Sequence, residues 1–259
     1  MIYIKKPEEI KLMLAAGKIL GEVLEEVVNF VKPGVTELEL DTLAQNLILK
    51  HGAEPGFKRV PGYKHTICVS TNEVVVHGIP GNRVLKDGDI IGIDCGVYLN
   101  GFHTDMAESV RVGGTRGDKI DKFLETGKKA MFDAILKAKA GNRVGDISKA
   151  MQARIEGGGY SIVRNLVGHG VGKELHEDPE IPGHLDGKIE NTPKLVENMT
   201  IAIEAIYNMG KKGVVYGGGD DWTIVTKDNS LSGLFERSVL VTKSGPQLIT
   251  RFSSDPSHL

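Results

Sequence analysis

Residues 8–31 carry Ile10, Leu12, Met13, Leu14, Ile19, Leu20, Val23, Leu24, Val27 and Val28 at helical spacing, which predicts a long amphipathic helix ended by Pro33-Gly34. Thr36 followed by Glu39 has the form of a capping box and predicts a second helix to about Lys50, stopped by His51-Gly52. Runs rich in β-branched residues then predict strands over 66–70, 74–77, 90–99 and 106–112, with turn signals at Asp87-Gly88 and Asn100-Gly101. A similar order follows: helices over 118–139 and 146–156, the second closed by Gly157-Gly158-Gly159, then strands over 161–167, 199–206, 223–226 and 238–242.

The repetition extends to individual residues. Leu85 to Asp94 aligns with Leu195 to Glu204 at a constant offset of 110, so Asp94 lands on Glu204. His77-Gly78-Ile79 resembles His169-Gly170-Val171, and Asp105 stands against Glu236 with a two-residue slip. The pattern predicts a duplicated α+β fold with halves of about 1–113 and 114–259, facing each other across a pseudo-twofold axis. Each half alone would leave an open apolar sheet edge, so residues 1–259 are expected to fold as a single domain.

This arrangement gathers Asp94, Asp105, His169, Glu204 and Glu236. Asp94 and Glu204 each end an apolar run, Ile90-Ile91-Gly92-Ile93 and Ile201-Ala202-Ile203, and a carboxylate at the buried end of a strand needs a partner. Four converging carboxylates repel one another and resist ionisation unless cations lie between them. Two divalent metals resolve the repulsion, and an oxygen-rich site with one imidazole suits Mn, Fe(II), Co or Zn. Such a pair lowers the pKa of bound water and supplies hydroxide for attack on a carbonyl. No Gly-x-Ser-x-Gly or His-Glu-x-x-His motif occurs, which argues against a serine hydrolase or zincin. Gly168-His169-Gly170-Val171-Gly172-Lys173 lacks the spacing and the Ser or Thr of a nucleotide loop.

Composition narrows the setting. The 32 Lys and Arg against 34 Asp and Glu leave a net charge of −2, which gives no general attraction to nucleic acid or anionic lipid. The two cysteines, Cys68 and Cys95, form no framework and point to a reduced, cytoplasmic setting. The polar start MIYIKKPEEI is unlike a signal peptide, and no run of about 18 apolar residues suggests a membrane span.

Taken in order, Asn72 to Pro80, Leu85 to Asp94, Gly101-Phe102-His103-Thr104-Asp105, Gly168 to Gly172, His176-Glu177-Asp178-Pro179, Ile203-Glu204 and Phe235-Glu236 resemble the methionine aminopeptidase family over nearly the whole chain. The resemblance implies the pita-bread fold, a curved antiparallel sheet backed by two helix pairs. It places the five metal ligands on the five residues above and the two other active-site histidines on His77 and His176. It implies Glu204 as general base and proton shuttle, His176 on the substrate carbonyl or oxyanion, and His77 near the scissile nitrogen or the next residue. The alternative for His77 is a strand-end histidine bonded to backbone. Tyr63, Cys68, Leu175 and Trp222 correspond to the methionine pocket, although the same side chains suit an ordinary core.

The implied reaction is removal of initiator methionine from N-terminal Met peptides and nascent chains, with preference for a small second residue. A monomer in transient contact with the ribosome is the implied setting. The short segment between His169 and Glu204, and a start directly at the catalytic region, resemble the type I bacterial forms. Prolidase and aminopeptidase P share the ligands but usually carry a large N-terminal domain. The chain departs from the family pattern at Ala205, where proline usually follows the glutamate, which implies altered strand geometry beside Glu204. It departs also at Cys95 and in the glycine-rich stretch 215–221 before Trp222.

Overall fold

The second helix starts as its capping box dictates. Thr36 Oγ1 accepts the Glu39 backbone N–H at 3.2 Å, and the Glu39 carboxylate accepts the Thr36 backbone N–H at 2.7 Å. In the computed structural model, which describes residues 2–114, 118–217, 219–257 and 259, this is α2 (Glu37–Lys50), following α1 (Pro7–Phe30). The second helix pair is α3 (Lys119–Ile135), capped by the Asp118 carboxylate, and α4 (Val144–Gly157).

The strands are β1 (Glu54–Pro55), β2 (Ile67–Thr71), β3 (Val74–Val76), β4 (Ile90–Leu99), β5 (Phe102–Arg111), β6 (Ser161–Ile162) and β7 (Val167–Gly170). They continue as β8 (Glu177–Pro182), β9 (Thr200–Asn208), β10 (Val214–Tyr216), β11 (Ile224–Thr226), β12 (Ser232–Val241) and β13 (Pro246–Leu248). Ten form one antiparallel sheet in the order β1-β4-β5-β12-β9-β7-β8, with β2 on β4, β6 on β9 and β13 on β12. The remaining three form a small sheet, β10-β11-β3. Beyond the expected set are β1, β8, β10 and β13. In β8, Pro179 and Pro182 sit on a sheet edge, where a missing N–H is tolerated.

Two strands begin earlier than their apolar pattern suggests. Asn100 and Gly101, with φ of 51° and 92°, make a two-residue turn that pairs Leu99 directly with Phe102. β5 therefore includes the polar run His103-Thr104-Asp105. Likewise β12 begins at Ser232, six residues before the predicted start, and includes Glu236 and Arg237. The predicted 161–167 strand is split into β6 and β7. The helix predicted over 118–139 ends at Ile135.

Alternation divides the sheet cleanly. Ile91, Ile93, Cys95 and Val97 of β4 pack under α1 and α2, while Ile201, Ile203, Ala205 and Tyr207 of β9 pack under α3 and α4. Ala205 pairs with Phe235 in an unbroken β9–β12 register, so the strand geometry at this departure is regular. The intervening residues of these strands, Asp94 and Glu204 among them, face away from the helices. Both lie mid-strand, not at the end of a run as expected.

Where β5 meets β12, the helix side of the sheet holds a buried ion network. Arg237 donates to Asp255 at 2.7 and 3.2 Å, to Glu108 at 2.7 Å, and to the carbonyls of Ala107 and Glu236 at 3.1 and 2.8 Å. Lys128 of α3 adds a 2.7 Å contact to Glu108. The Arg237 and Asp255 side chains are fully buried, so removing the cation strands two carboxylates in a low-dielectric interior. Arg237→Met is expected to lower the unfolding free energy by about 3–5 kcal/mol. Urea denaturation of the variant checks this, and a loss within error of zero would show that Lys128 alone balances Glu108 and Asp255.

Candidate metal centre and its cleft

Register places the candidate ligands on two neighbouring rows of the sheet face away from the helices. In the first row Cys68 pairs with Asp94, Asp94 with Ala107, Ala107 with Glu236 and Glu236 with Glu204, crossing five strands. In the second, Gly96 pairs with Asp105, Asp105 exchanges hydrogen bonds with Ser238 (3.0 and 2.8 Å), Ser238 pairs with Ala202 and Ala202 with His169. Asp105 is two residues from Ala107, and Ala202 two from Glu204, so all five groups share one face. The two-residue slip between Asp105 and Glu236 is visible here: Glu236 opposes Glu204 directly, whereas Asp105 sits diagonally to Asp94.

The groups meet closely. His169 Nε2 lies 3.4 Å from Glu204 Oε1 and 3.9 Å from Asp105 Oδ2. Ligand atoms of Asp105, His169 and Glu236 all fall within 4.8 Å of one another. His169 Nδ1 is 2.9 Å from the Gly170 carbonyl, which can only accept, so Nδ1 carries the proton and Nε2 presents its lone pair to the carboxylates. Asp105, Glu236 and His169 are buried, and Asp94 and Glu204 are half-buried along the cleft.

Burial disturbs every acid in the cluster, and repulsion by neighbouring carboxylates adds to it for Asp94, Glu204 and Glu236. Asp94 and Glu236 are pushed well above the usual carboxylate range by desolvation and by the neighbouring carboxylates, and Glu204 by desolvation and Asp105. Asp105 is raised to about 7 by burial, against the opposing pull of hydrogen bonds with Asp94 and the Met106 backbone. Burial lowers His169 to about 4, so its imidazole is neutral at pH 7. Among the described residues, Asp94 Oδ1 and Glu236 Oε1 are buried without a hydrogen-bond partner. Unpartnered buried carboxylate oxygens beside a neutral imidazole lone pair are what a divalent cation takes as ligands.

The cluster lies at the floor of a cleft. Its walls hold every expected pocket residue, Tyr63, Cys68, Leu175 and Trp222, together with His77 and His176. Phe57 and Val60 also line it. The sequence offered little signal for these two, which sit in an aperiodic Gly- and Pro-rich loop. The nearest hint is Gly96: a Cβ there would come within 2.7 Å of the Phe57 ring. Tyr63 stacks edge-on to Trp222 at 5.2 Å and donates to the Ile67 carbonyl at 2.8 Å. Asp220 accepts from the backbone N–H groups of Trp222 and Thr223 at 2.7 and 2.6 Å and so sets Trp222 in place. Of the glycine-rich stretch before Trp222, Gly218 lies outside the described residues. Burial pushes the Cys68 thiol up, so it serves as an apolar wall.

His77 has a left-handed backbone with φ of 58°, uncommon for a residue other than glycine. Gly78 follows it under Val69, whose carbonyl lies 1.9 Å from where a Gly78 Cβ would stand. The His77 ring makes no hydrogen bond among the described residues and faces the cleft, unlike a strand-end histidine tied to backbone. Strain of this kind collects at functional positions. His176 stands at the rim, its ring 4.5 Å from that of His169.

A curved antiparallel sheet backed on one face by two helix pairs, with acidic rows on the other face opening onto an apolar cleft, defines a metal-dependent hydrolase of the pita-bread class. Residues 11–243 match metallopeptidase family M24. The methionine aminopeptidase of Clostridium perfringens is 45% identical over 96% of this chain and 99% of its own. The crystal structure of the Thermotoga maritima methionine aminopeptidase superposes with a TM-score of 0.92 at 40% identity, covering 97% of this chain and all of that one. An X-Pro aminopeptidase from the same organism shares the fold, with a TM-score of 0.75 at 23% identity and 62% of its length covered. The chain belongs to metallopeptidase family M24 and, within it, to the methionine aminopeptidases.

The raised acids predict a pH signature. A carboxyl whose folded pKa is raised favours the folded state below its unfolded pKa of about 4 and loses that contribution as pH rises through the folded value. For Asp105 the window closes at about 7. The metal-stripped protein is therefore expected to lose thermal stability from pH 5 to pH 8, while added Mn(II) stabilises it more at pH 8 than at pH 5. Scanning calorimetry of both forms tests this; a gap between them that does not change with pH counts against cation binding at these acids.

Proposed function

We propose that the protein hydrolyses the first peptide bond of chains beginning with methionine, nascent proteins included, and prefers a small second residue. What carries this reading is the juxtaposition of unpartnered buried carboxylates with a slot lined by Tyr63, Cys68, Leu175 and Trp222. An apolar slot with aromatic walls suits a flexible thioether side chain. Two divalent cations, Mn, Fe(II), Co or Zn, held by Asp94, Asp105, His169, Glu204 and Glu236, would polarise the scissile carbonyl and supply hydroxide at neutral pH.

The chain's own groups do the rest. Glu204, which faces the cleft, takes the proton of the attacking water and delivers it to the leaving amine. His176 donates a hydrogen bond to the substrate oxyanion from the rim. His77, on the other wall, contacts the scissile nitrogen, and crowding around it selects a small second side chain. The first half contributes Asp94 and Asp105 and the second His169, Glu204 and Glu236, so residues 1–259 act as one catalytic unit. The short connection from His169 to Glu204 supports a type I assignment. The proposed setting is a cytoplasmic monomer that meets chains as they leave the ribosome; no helix of the described residues is long and apolar enough to cross a membrane.

Metal-loaded protein is expected to cleave Met-Ala-Ser and to spare Xaa-Pro peptides, as read by chromatography of the products. Preferential release of the residue before proline would overturn the reading. His77→Ala is expected to lower kcat/KM by about 10²-fold with metal content unchanged, and unaltered turnover would remove His77 from the mechanism.

A further inference from the structure

The loop that presents Leu175 and His176 is a short turn between β7 and β8, where Gly170 pairs with Glu177. A turn at a sheet edge has few restraints of its own. This one is tied from outside. Glu177 Oε2 lies 2.5 Å from Lys5 Nζ, and Glu177 Oε1 accepts the Glu174 backbone N–H at 3.3 Å. Lys5 belongs to the segment before α1, 172 positions away in the chain.

Lys5 is 2% exposed, and so complete a burial of an ammonium group is costly unless it is paired. Its backbone N–H is anchored on the Asn198 carbonyl at 3.1 Å. Its side chain runs against Gly172, where an added Cβ would fall 2.4 Å from Lys5 Cε and 2.7 Å from Glu177 Oε1. Gly172 is also gripped from the other side, its carbonyl accepting the His103 N–H at 2.6 Å. The next residue, Lys173, reaches the same segment, with its ammonium 4.7 Å from the Tyr3 ring centroid and 3.6 Å from Glu9 Oε1.

We propose that Lys5 is a positioning residue for the active site: through its buried ion pair with Glu177 it fixes the 171–176 turn, and thereby the placement of His176 and Leu175 against substrate. This rests on the reading of those two residues as substrate contacts. None of the five metal-binding residues lies on the turn, His169 being held in β7 with its Nδ1 on the Gly170 carbonyl, so losing the pair misplaces His176 with little change in cation binding. Misplacement of a contacting group by about 1 Å costs up to about 10²-fold in rate.

The test uses Lys5→Met, Lys5→Arg and Glu177→Gln in the full chain. Lys5→Met is expected to lower kcat/KM on Met-Ala-Ser by about 10- to 100-fold. Mn(II) affinity by calorimetry stays at the wild-type value, and Lys5→Arg recovers most of the loss. In a His176→Ala background the same change should cost clearly less than in the wild type, because only Leu175 is left to misplace. The His176 imidazole resonances should shift in Lys5→Met and in Glu177→Gln, with those of His77 unmoved. Full kcat/KM in Lys5→Met, an equal loss with and without His176, or unmoved His176 resonances overturns the proposal. Should Lys5→Met fail to fold, Glu177→Gln decides by the same readings. A wild-type protein inactive on Met peptides would instead sink the peptidase reading, and the resonances would still decide the role of Lys5.

Discussion

Four carboxylates share one face of a sheet with no lysine or arginine paired to them among the described residues, and much of the local architecture answers that constraint. Strand alternation forces the arrangement: the residues that bury Ile93 and Ile203 under the helices turn Asp94 and Glu204 to the opposite side. Register then aligns the acids of four strands. Without cations the cluster can lower its energy only by holding protons, which is why its members are shifted upward. The fold thus keeps a site whose favourable state depends on a bound charge from outside.

The other side of the same strands solves the equivalent problem internally. Arg237 follows Glu236 and so points to the helix side, where Glu108 and Asp255 receive it. Its hydrogen bonds to the carbonyls of Glu236 and Ala107 tie it to the middle of the acidic row. One side is balanced by covalently attached charge and is rigid. The other is left for ligands and is reactive. Both lie where the halves join, since β5 belongs to the first and β12 to the second.

The walls of the cleft come from less regular pieces. Phe57 and Val60 sit on an aperiodic loop, Trp222 behind an Asp220 turn, and Leu175 and His176 on a hairpin held by a distant lysine. Rigid strands carry the acids, and loops pinned one at a time carry the other residues that line the cleft. That division suits a hydrolase, in which charge must be placed accurately while the substrate needs a way in.

Much of this was legible in the residue pattern. The helix pairs, the Thr36 cap, the long β4 strand and the five acidic and imidazole candidates follow from periodicity and from the repeat at offset 110, because these are local or self-similar signals. What the sequence hid were strands whose face toward the cleft is polar. His103 to Asp105 and Ser232 to Arg237 break apolar alternation because their outward positions serve the site and not the core. The sequence by itself thus determined which residues are candidates for the chemistry and which helix pairs and central strands frame them, while its strand starts left Asp105 and Glu236 outside. Tertiary structure alone decided that Cys68, Asp94, Glu236 and Glu204 stand in one row, that the His77 ring is free, and that Lys5 reaches Glu177. Register between distant strands and pairing of distant charges are set by the packed whole, and no stretch of chain contains them.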